Sequence, residues 1–430
     1  MSQEQASTGT DLRQAYFWRN LAANLVAEGF WGFAMACVSV STVLVAFLRR
    51  LGTSDFLLGL LPGIGMLGFA ILQLPGALYF RRHTRRKGLL ILTVIPITLL
   101  QFGLAAVAHY LAPTQPRRAV ALCYALLFLQ ALFLGLTGPL WTHLLHSIFP
   151  SSRRGRAMGV MALFLSGMGL VGGLYTAALL RLDPEHPPFD VLFTVAAVMM
   201  ALNGVAWLPI VETPLERPSP PLRLRRTFAV LFRPGSAWRS LVIARWWSEI
   251  ARAPLIFATV VTLTRFHLPD STAGVLTFML AAGGAVAAPL FGWLGDRRGH
   301  KSTMVASAAV LPLATVLVVL APHPWVAMAA FGLMGAVPAG DFLGSLNLVI
   351  ESAPEEDKSI YAAVMQTAMV PARLLGPLAS GFVAQQTSPL VVLVAALAIQ
   401  LIALFVTVRI VVEPRMAGDG LVESYPSAGG

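Results

Sequence analysis

Long apolar stretches separated by short polar segments run through the whole chain. A membrane-spanning helix needs about 20 mostly apolar residues, and stretches of this length recur about twelve times. They cover residues 20–48, 55–80, 88–112, 119–148, 157–180, 189–211, 239–264, 271–294, 302–321, 325–350, 359–384 and 389–412. They are much longer than the alternating strands of a membrane barrel, which have roughly 10 residues each. The pattern therefore predicts an all-α membrane protein with about twelve transmembrane helices.

The composition leads to the same class. Hydrophobic residues make up 57% of the chain and charged residues 12%, whereas soluble domains carry roughly 25% charged residues. The formal charge of +11 would suit a nucleic acid. However, the lysines and arginines lie in short clusters between apolar stretches, as in loops beside an anionic cytoplasmic leaflet. We therefore expect a lipid bilayer as partner and no nucleic acid.

Basic residues favour alternate loops, which predicts the orientation in the membrane. The basic side includes the loops that hold Arg81, Arg82, Arg85, Arg86 and Lys87, then Arg153, Arg154 and Arg156, and later Arg297, Arg298 and Lys301. This bias predicts that both termini lie in the cytoplasm, with the protein in the inner or plasma membrane. The polar start of the chain lacks a basic signal-peptide region, so the first apolar stretch is interpreted as a span.

The chain resembles itself across its middle. Trp18-Arg19 opens the first span and Trp238-Arg239 the seventh, and Glu28 and Glu249 follow at nearly matching depths. We predict an N-terminal six-helix half at 1–211, a cytoplasmic linker at 212–238, a C-terminal half at 239–412 and a cytoplasmic tail at 413–430. An even number of spans per half makes the repeats parallel, related by an axis along the membrane normal.

A loop motif indicates the family. The segment Gly292-Trp-Leu-Gly-Asp296-Arg297-Arg298-Gly299-His300-Lys301 resembles the signature Gly-x-Leu-x-Asp-Arg-x-Gly-Arg-Lys of the major facilitator superfamily, with His300 as a departure. The first-half copy keeps Gly76, Leu78, Arg81 and Arg85 but has Phe80 in place of Asp and His83 in place of Gly. The resemblance implies two six-helix bundles around a central cavity and transport by alternating access. It does not imply a substrate.

Ionisable residues within spans are rare and usually face the bundle interior, because each costs about 2.5–3.5 kcal/mol to insert. The candidates for a substrate or coupling cavity are Glu28, Asn24, Arg245, Glu249, Arg252, Asp341 and Arg373. Glu28 is the proton-coupling candidate, since burial disfavours the charged form of a carboxyl group. The arginines suit an anionic substrate group. The alternative is structural, with Glu249 neutralising Arg245 and Arg252 on its own helix.

Charged loops suggest a gate. The loop with Arg81, Arg82 and Arg85 is basic, and the loop with Glu355, Glu356 and Asp357 is acidic. If the second and eleventh helices are neighbours, as the resemblance implies, these loops face each other when the cytoplasmic side closes. Asp296 would in turn face the start of the fifth helix, which attracts an anion. We hypothesise two charge latches; the alternative is that the basic loops only set the topology.

Proton-coupled transport of a small solute is the function that these features favour. The alternatives are an uncoupled facilitator or a symporter of sugars or organic anions, and a transporter-like membrane receptor or lipid-handling protein. The sequence has no His-Glu-x-x-His, phosphate-binding loop or Gly-x-Ser-x-Gly motif, so neither an enzyme nor an ATP-driven pump is expected. Cys37 and Cys123 lie in apolar stretches and predict no disulfide. We expect no metal, no cofactor and a monomer.

The latch hypothesis predicts that replacing Glu355, Glu356 and Asp357 by lysine raises accessibility from the cytoplasmic side, because like charges would then oppose each other. Labelling of introduced cysteines by a membrane-impermeant reagent measures this. An exposed ion pair is worth at most about 1 kcal/mol, so the change is a shift between two states. Unchanged labelling would contradict the latch.

Overall fold

The computed structural model describes residues 12–80, 83–213, 237–352 and 364–413, and the regular structure in these ranges is helical throughout. The helices of the first part are α1 Phe17–Cys37, α2 Val43–Arg50, α3 Asp55–Phe80, α4 Lys87–Ala106, α5 Pro116–Ile148, α6 Ser151–Leu179 and α7 Phe189–Ala206. Those of the second part are α8 Ala237–Arg252, α9 Ile256–Arg265, α10 Thr272–Arg298, α11 His300–Leu320, α12 Pro324–Ser352, α13 Val370–Gln386 and α14 Pro389–Ile410.

Ten helices in the described part of the chain are long and apolar enough to cross a membrane. This confirms the predicted class, an all-α integral membrane protein. The two predicted spans that do not meet this measure are the first of each predicted half, and both are interrupted. Residues 38–42 separate α1 from α2, and the short turn Ala253–Leu255 separates α8 from α9. Its Pro254 lacks the backbone N–H that a continuous α-helix needs.

The chain forms two compact units. Unit 1 comprises Met1–Ser54, Ile64–Pro220 and His267–Ala281, and unit 2 comprises Asp55–Gly63, Pro221–Phe266 and Ala282–Gly430. The start of α3 thus belongs to unit 2, and the start of α10 belongs to unit 1. Most of the predicted linker and tail lies outside the described residues, so the predicted domain boundaries stay a prediction.

In unit 1, α1 packs against α6 and α7, and α4 packs against α5 and α7. Gly32 allows the close approach of α1 to α6, because a Cβ atom there would overlap the carbonyl oxygen of Leu165. The segment 267–281 is fixed within this unit by two polar contacts. The hydroxyls of Thr42 and Thr277 lie 2.5 Å apart, and Arg50 Nη1 lies 3.0 Å from Asp270 Oδ2.

In unit 2, α11 packs against α12 and α14, and α8 packs against α13 and α14. Small residues again bring backbones together. A Cβ atom on Gly283 of α10 would overlap the carbonyl oxygen of Gly332 in α12. Such small-residue contacts are typical of membrane helix pairs, where van der Waals packing drives association.

Two glutamates that follow long helices, Glu212 after α7 and Glu413 after α14, satisfy the starts of distant helices. The Glu212 carboxylate accepts hydrogen bonds from the backbone N–H groups of Arg86 (2.8 Å) and Lys87 (3.0 Å) at the start of α4. Glu413 accepts one from the N–H of Lys301 (2.8 Å) near the start of α11. The first N–H groups of a helix have no partner within the helix and carry partial positive charge, so a carboxylate stabilises them.

Replacing Gly283 by alanine is expected to destabilise the protein, because the added methyl group forces α10 away from α12. Overpacking of this kind costs about 1–3 kcal/mol, whereas alanine in a helix interior is otherwise favoured by about 1 kcal/mol. The melting temperature in detergent measures the effect. Gly292→Ala in the same helix is the control, since nothing lies within 4 Å of a Cβ there. Equal melting temperatures for the two variants would contradict the close approach.

Candidate functional site

A cluster of charged side chains lies inside unit 2. Helix α8 supplies Arg245, Glu249 and Arg252, whose spacing places them on one helical face. Asp341 comes from the middle of α12 and Arg373 from the first turn of α13. We call these five residues the arginine–carboxylate cluster. The structure thus brings together every candidate that the sequence placed in the second half.

Glu249 is the centre of the cluster. Its Oε1 accepts hydrogen bonds from Arg245 Nη2 and Arg373 Nη2, each at 3.0 Å, and its Oε2 lies 2.6 Å from Arg252 Nη2. Asp341 Oδ2 lies 2.8 Å from Arg252 Nη1 and 3.3 Å from Arg245 Nη1. The structural alternative, neutralisation within α8, therefore accounts for part of the geometry only, because two further helices contribute charges.

The cluster is buried and carries excess positive charge. The side chains of Arg245, Glu249 and Asp341 are 6%, 8% and 4% exposed, while Arg252 and Arg373 keep 20% and 16%. Three guanidinium groups face two carboxylates, which leaves one net positive charge when both acids are ionised. Guanidinium groups do not lose their proton in proteins. The arrangement can therefore accept one further anionic group without any change in its own protonation.

Glu28 lies in a different environment, inside unit 1. Its side chain sits on α1, is 8% exposed, and accepts a hydrogen bond from the indole Nε1 of Trp141 on α5 at 3.0 Å. In the described part of the chain it forms no ion pair. Trp141 is a residue that the sequence reading missed. The sequence feature that could have indicated it is a tryptophan within an apolar span, because a buried indole N–H needs a hydrogen-bond acceptor.

Asn24 shares the helical face of Glu28, as predicted, but its amide is turned along the helix. Its Nδ2 donates to the carbonyl oxygen of Asn20, one turn earlier, at 2.9 Å. Asn20 in turn bonds both backbone groups of Val211, and Asn203 donates to the carbonyl oxygen of Ala27 at 2.8 Å. These hydrogen bonds link α1 to α7 and to the segment after α7. On the face of α1 that carries Asn20, Asn24 and Glu28, Glu28 is the ionisable residue.

The predicted gating motif is only partly described. Arg81, Arg82, Glu355, Glu356 and Asp357 lie outside the described residues, while Arg85 is exposed. Asp296, Arg297 and Arg298 are exposed at the end of α10, where Arg297 lies over the ring of Trp293. Gly299 has a positive φ of 86°, and a Cβ atom there would overlap the carboxylate of Glu413. Gly299 is therefore required by the turn, and the latches stay a prediction.

Metal chemistry finds no support in the described part of the chain, where no group of three or more His, Cys, Asp or Glu side chains is placed to hold an ion. Cys37 and Cys123 are free and buried. The described site is thus made of arginines, carboxylates and hydrogen-bonding side chains, on a scaffold of membrane helices. These features define a membrane protein with charged side chains buried inside its helical units.

The comparisons identify this class more closely. Residues 29–266 and 250–424 match the sequence profile of the Major Facilitator Superfamily. The match covers most of the chain, so the chain belongs to this superfamily. The match confirms the family that the loop motif at residues 292–301 indicated.

Individual relatives are more distant. The chain is 30% identical over 225 residues to the probable nitrate/nitrite transporter NarK2 of Mycobacterium tuberculosis, which covers 50% of this chain and 54% of that protein. It is 33% identical over 112 residues to the multidrug resistance protein MdtG of Citrobacter koseri, 26% of each chain. The chain thus spans about a quarter to a half of the length of these curated relatives.

Solved structures agree on the fold. A D-xylose-proton symporter superimposes with a TM-score of 0.71 at 15% identity, over 93% of this chain and 98% of the other. A bacterial homologue of the human lysosomal transporter Spinster gives a TM-score of 0.70 at 15% identity, over 91% and 96%. At these identities the likeness concerns the fold alone.

Replacing Glu249 by glutamine is expected to destabilise unit 2, because three arginines lose their shared carboxylate. Breaking a buried ion pair from one side costs about 3–5 kcal/mol. The melting temperature in detergent measures the loss, and the double variant with Arg245→Gln should recover part of it because the charge balance is restored.

Asp190→Asn is the control for this series, since it breaks an ion pair with His109 that is partly exposed and worth at most about 1 kcal/mol. If Glu249→Gln melted at the wild-type temperature, Glu249 would not hold the cluster together.

Proposed function

We propose that this protein is a proton-coupled secondary transporter that moves a small solute across the cell membrane by alternating access, with Glu28 as the proton carrier. The observation that carries the proposal is the environment of Glu28. Its carboxyl group is buried and is hydrogen-bonded to Trp141, and no described residue forms an ion pair with it. Burial without a cation disfavours the charged form, so this group can take up a proton without breaking a salt bridge.

The partner of Glu28 suits both protonation states. The indole N–H of Trp141 is a donor only, and it can bond a carboxylate oxygen or the carbonyl oxygen of a neutral carboxyl group. Proton uptake therefore changes the charge of the site while the contact to α5 persists. Glu249 is the opposite case, because its protonation would leave Arg245, Arg252 and Arg373 without their shared anion.

The relatives support transport of a small solute without fixing which one. One structural neighbour is a D-xylose-proton symporter, and the curated relatives are a probable nitrate/nitrite transporter and a multidrug resistance protein. The distribution of Lys and Arg supports cytoplasmic termini in the inner or plasma membrane. We further propose that the protein works as a monomer.

Uncoupled movement of an anion is the second candidate function. The excess positive charge of the arginine–carboxylate cluster favours it, because an anion can bind there without a proton. A transporter-like receptor or lipid-handling protein is the third, and it differs from the others in moving no solute. The three are separated by one assay of solute and proton movement.

Glu28→Gln is expected to abolish proton movement coupled to the solute. Purified protein is reconstituted into liposomes that contain a pH-sensitive dye, and solutes that raise its melting temperature in a metabolite and drug panel are added. Wild-type protein should change the luminal pH when such a solute is added. The glutamine variant should give no pH change, because its side chain cannot release a proton.

Glu185→Gln, in an exposed loop, is the matched control and should behave like the wild type. Solute movement without a pH change in wild-type liposomes would establish the uncoupled alternative. A pH change that persists in Glu28→Gln would exclude Glu28 as the carrier.

A further inference from the structure

Basic side chains from three helical segments meet at one end of unit 1. Arg13 lies in the helical turn before α1, His143 and His146 in the last two turns of α5, and Arg153 and Arg154 in the first turn of α6. We call these five residues the basic cluster. The charge bias of the loops predicts that this end of unit 1 lies at the cytoplasmic leaflet.

The members of the basic cluster act on one another. Arg154 folds back over the end of α5, where its Nη2 donates to the carbonyl oxygens of Phe149 (3.2 Å) and His146 (3.4 Å). The charges of Arg13 and Arg154 repel each other, and both act on His146. His143 interacts electrostatically with His146. The cluster is therefore one connected patch of basic groups.

No acid balances this patch in the part of the chain that the structure describes. None of the ion pairs there includes Arg13, Arg153 or Arg154, and the first turn of α6 carries no acidic residue. The partial positive charge at the start of α6 adds to that of the guanidinium groups. The starts of α4 and α11 differ, since a carboxylate accepts hydrogen bonds there. The basic cluster therefore favours an anion from outside the chain.

Three nitrogen atoms of the basic cluster are shielded from solvent and lack a partner. Among the described residues, Arg13 Nε, Arg154 Nε and His143 Nε2 form no hydrogen bond. A buried donor without an acceptor is costly. An arginine that only sets the orientation of a loop can keep its guanidinium group in water, so orientation alone does not account for the burial of these atoms.

Aromatic side chains place the basic cluster at the edge of the bilayer. The guanidinium group of Arg153 lies over the ring of Phe17, 5.5 Å from its centre. The neighbouring Trp18 packs edge-to-face on Phe17 at 5.2 Å, and its side chain is 73% exposed. Exposed tryptophan rings in membrane proteins lie at the level of the lipid headgroups. The cluster thus lies where a lipid headgroup, with its phosphate, is at hand.

We propose that the basic cluster binds the phosphate group of an anionic phospholipid in the cytoplasmic leaflet, with the ring of Trp18 beside the lipid backbone. Guanidinium groups bind phosphate oxygens in pairs, and basic pockets between membrane helices suit anionic headgroups. A free phosphate ion has the same chemistry but gains nothing from an exposed indole ring. The cluster shares no residue with the arginine–carboxylate cluster and does not include Glu28, so the proposal does not depend on the mechanism of transport.

Lipid binding to the purified full-length protein in detergent, measured by native mass spectrometry, tests the proposal. The probes are dioleoyl phosphatidylglycerol and dioleoyl phosphatidylcholine, with inorganic phosphate and glycerol 3-phosphate as soluble competitors. The anionic lipid should bind at least about tenfold more tightly than phosphatidylcholine, because each basic residue near a negative headgroup contributes about fivefold. Neither competitor should displace it at millimolar concentration.

Variants locate the site. Arg13→Gln should weaken binding of phosphatidylglycerol about fivefold, and the double variant with Arg153→Gln about twentyfold. The melting temperature without lipid should stay at the wild-type value in Arg13→Gln, because this side chain forms no hydrogen bond or ion pair with the described residues. Arg409→Gln is the matched control, since Arg409 also lies over a ring, that of Phe405 at 5.7 Å, but belongs to unit 2. It should keep the wild-type affinity within about twofold.

Four outcomes would overturn the inference. Equal affinity for the two lipids would remove the anionic headgroup, and displacement by either soluble competitor would assign the site to a free phosphate ion. Full affinity in the double variant would exclude the basic cluster as the site. An equal loss of affinity in Arg409→Gln would show attraction by any arginine of the protein.

Discussion

An arginine within a membrane span cannot discard its charge, and this constraint organises unit 2. The guanidinium group stays protonated in any protein environment, and an isolated charge in an apolar interior is very costly. Helix α8 carries Arg245 near its centre and Arg252 at its end, with Glu249 as the one acid between them. The second acid therefore comes from α12 as Asp341, and Arg373 of α13 shares the first. The charges determine which side chains of three helices must meet.

Unit 1 also buries an ionisable group, but this group is an acid without a cation partner among the described residues. Its buried acid, Glu28, is held by the neutral donor Trp141 and has no cation beside it in the described residues. A carboxyl group can lose its charge by taking up a proton, which a guanidinium group cannot do. Among the described residues, the acids of the arginine–carboxylate cluster are thus paired with cations, whereas Glu28 is paired with a neutral donor.

Hydropathy was enough to predict the membrane class, because the lipid imposes long apolar stretches on ten of the helices. The i, i+4, i+7 spacing also predicted that Arg245, Glu249 and Arg252 share a face. The sequence could not predict which distant residues form contacts. Arg373 and Glu249 are separated by 124 positions, and Trp141 and Glu28 by 113. The first span of each predicted half is interrupted, and these two spans carry Glu28 in one case and Arg245, Glu249 and Arg252 in the other.

The hydrogen bonds of Glu212 and Glu413 have a consequence for the order in which the helices are completed. The acceptor for the start of α4 is Glu212, more than 120 positions later, and the acceptor for the start of α11 is Glu413, 112 positions later. During synthesis, the N–H groups at the start of each of these helices therefore have no carboxylate acceptor from these glutamates until the later segment has been made. They are fastened only when the last helix of the same half has been synthesised. In both cases, a residue that follows the last span of a predicted half completes the hydrogen bonds at the start of an earlier helix.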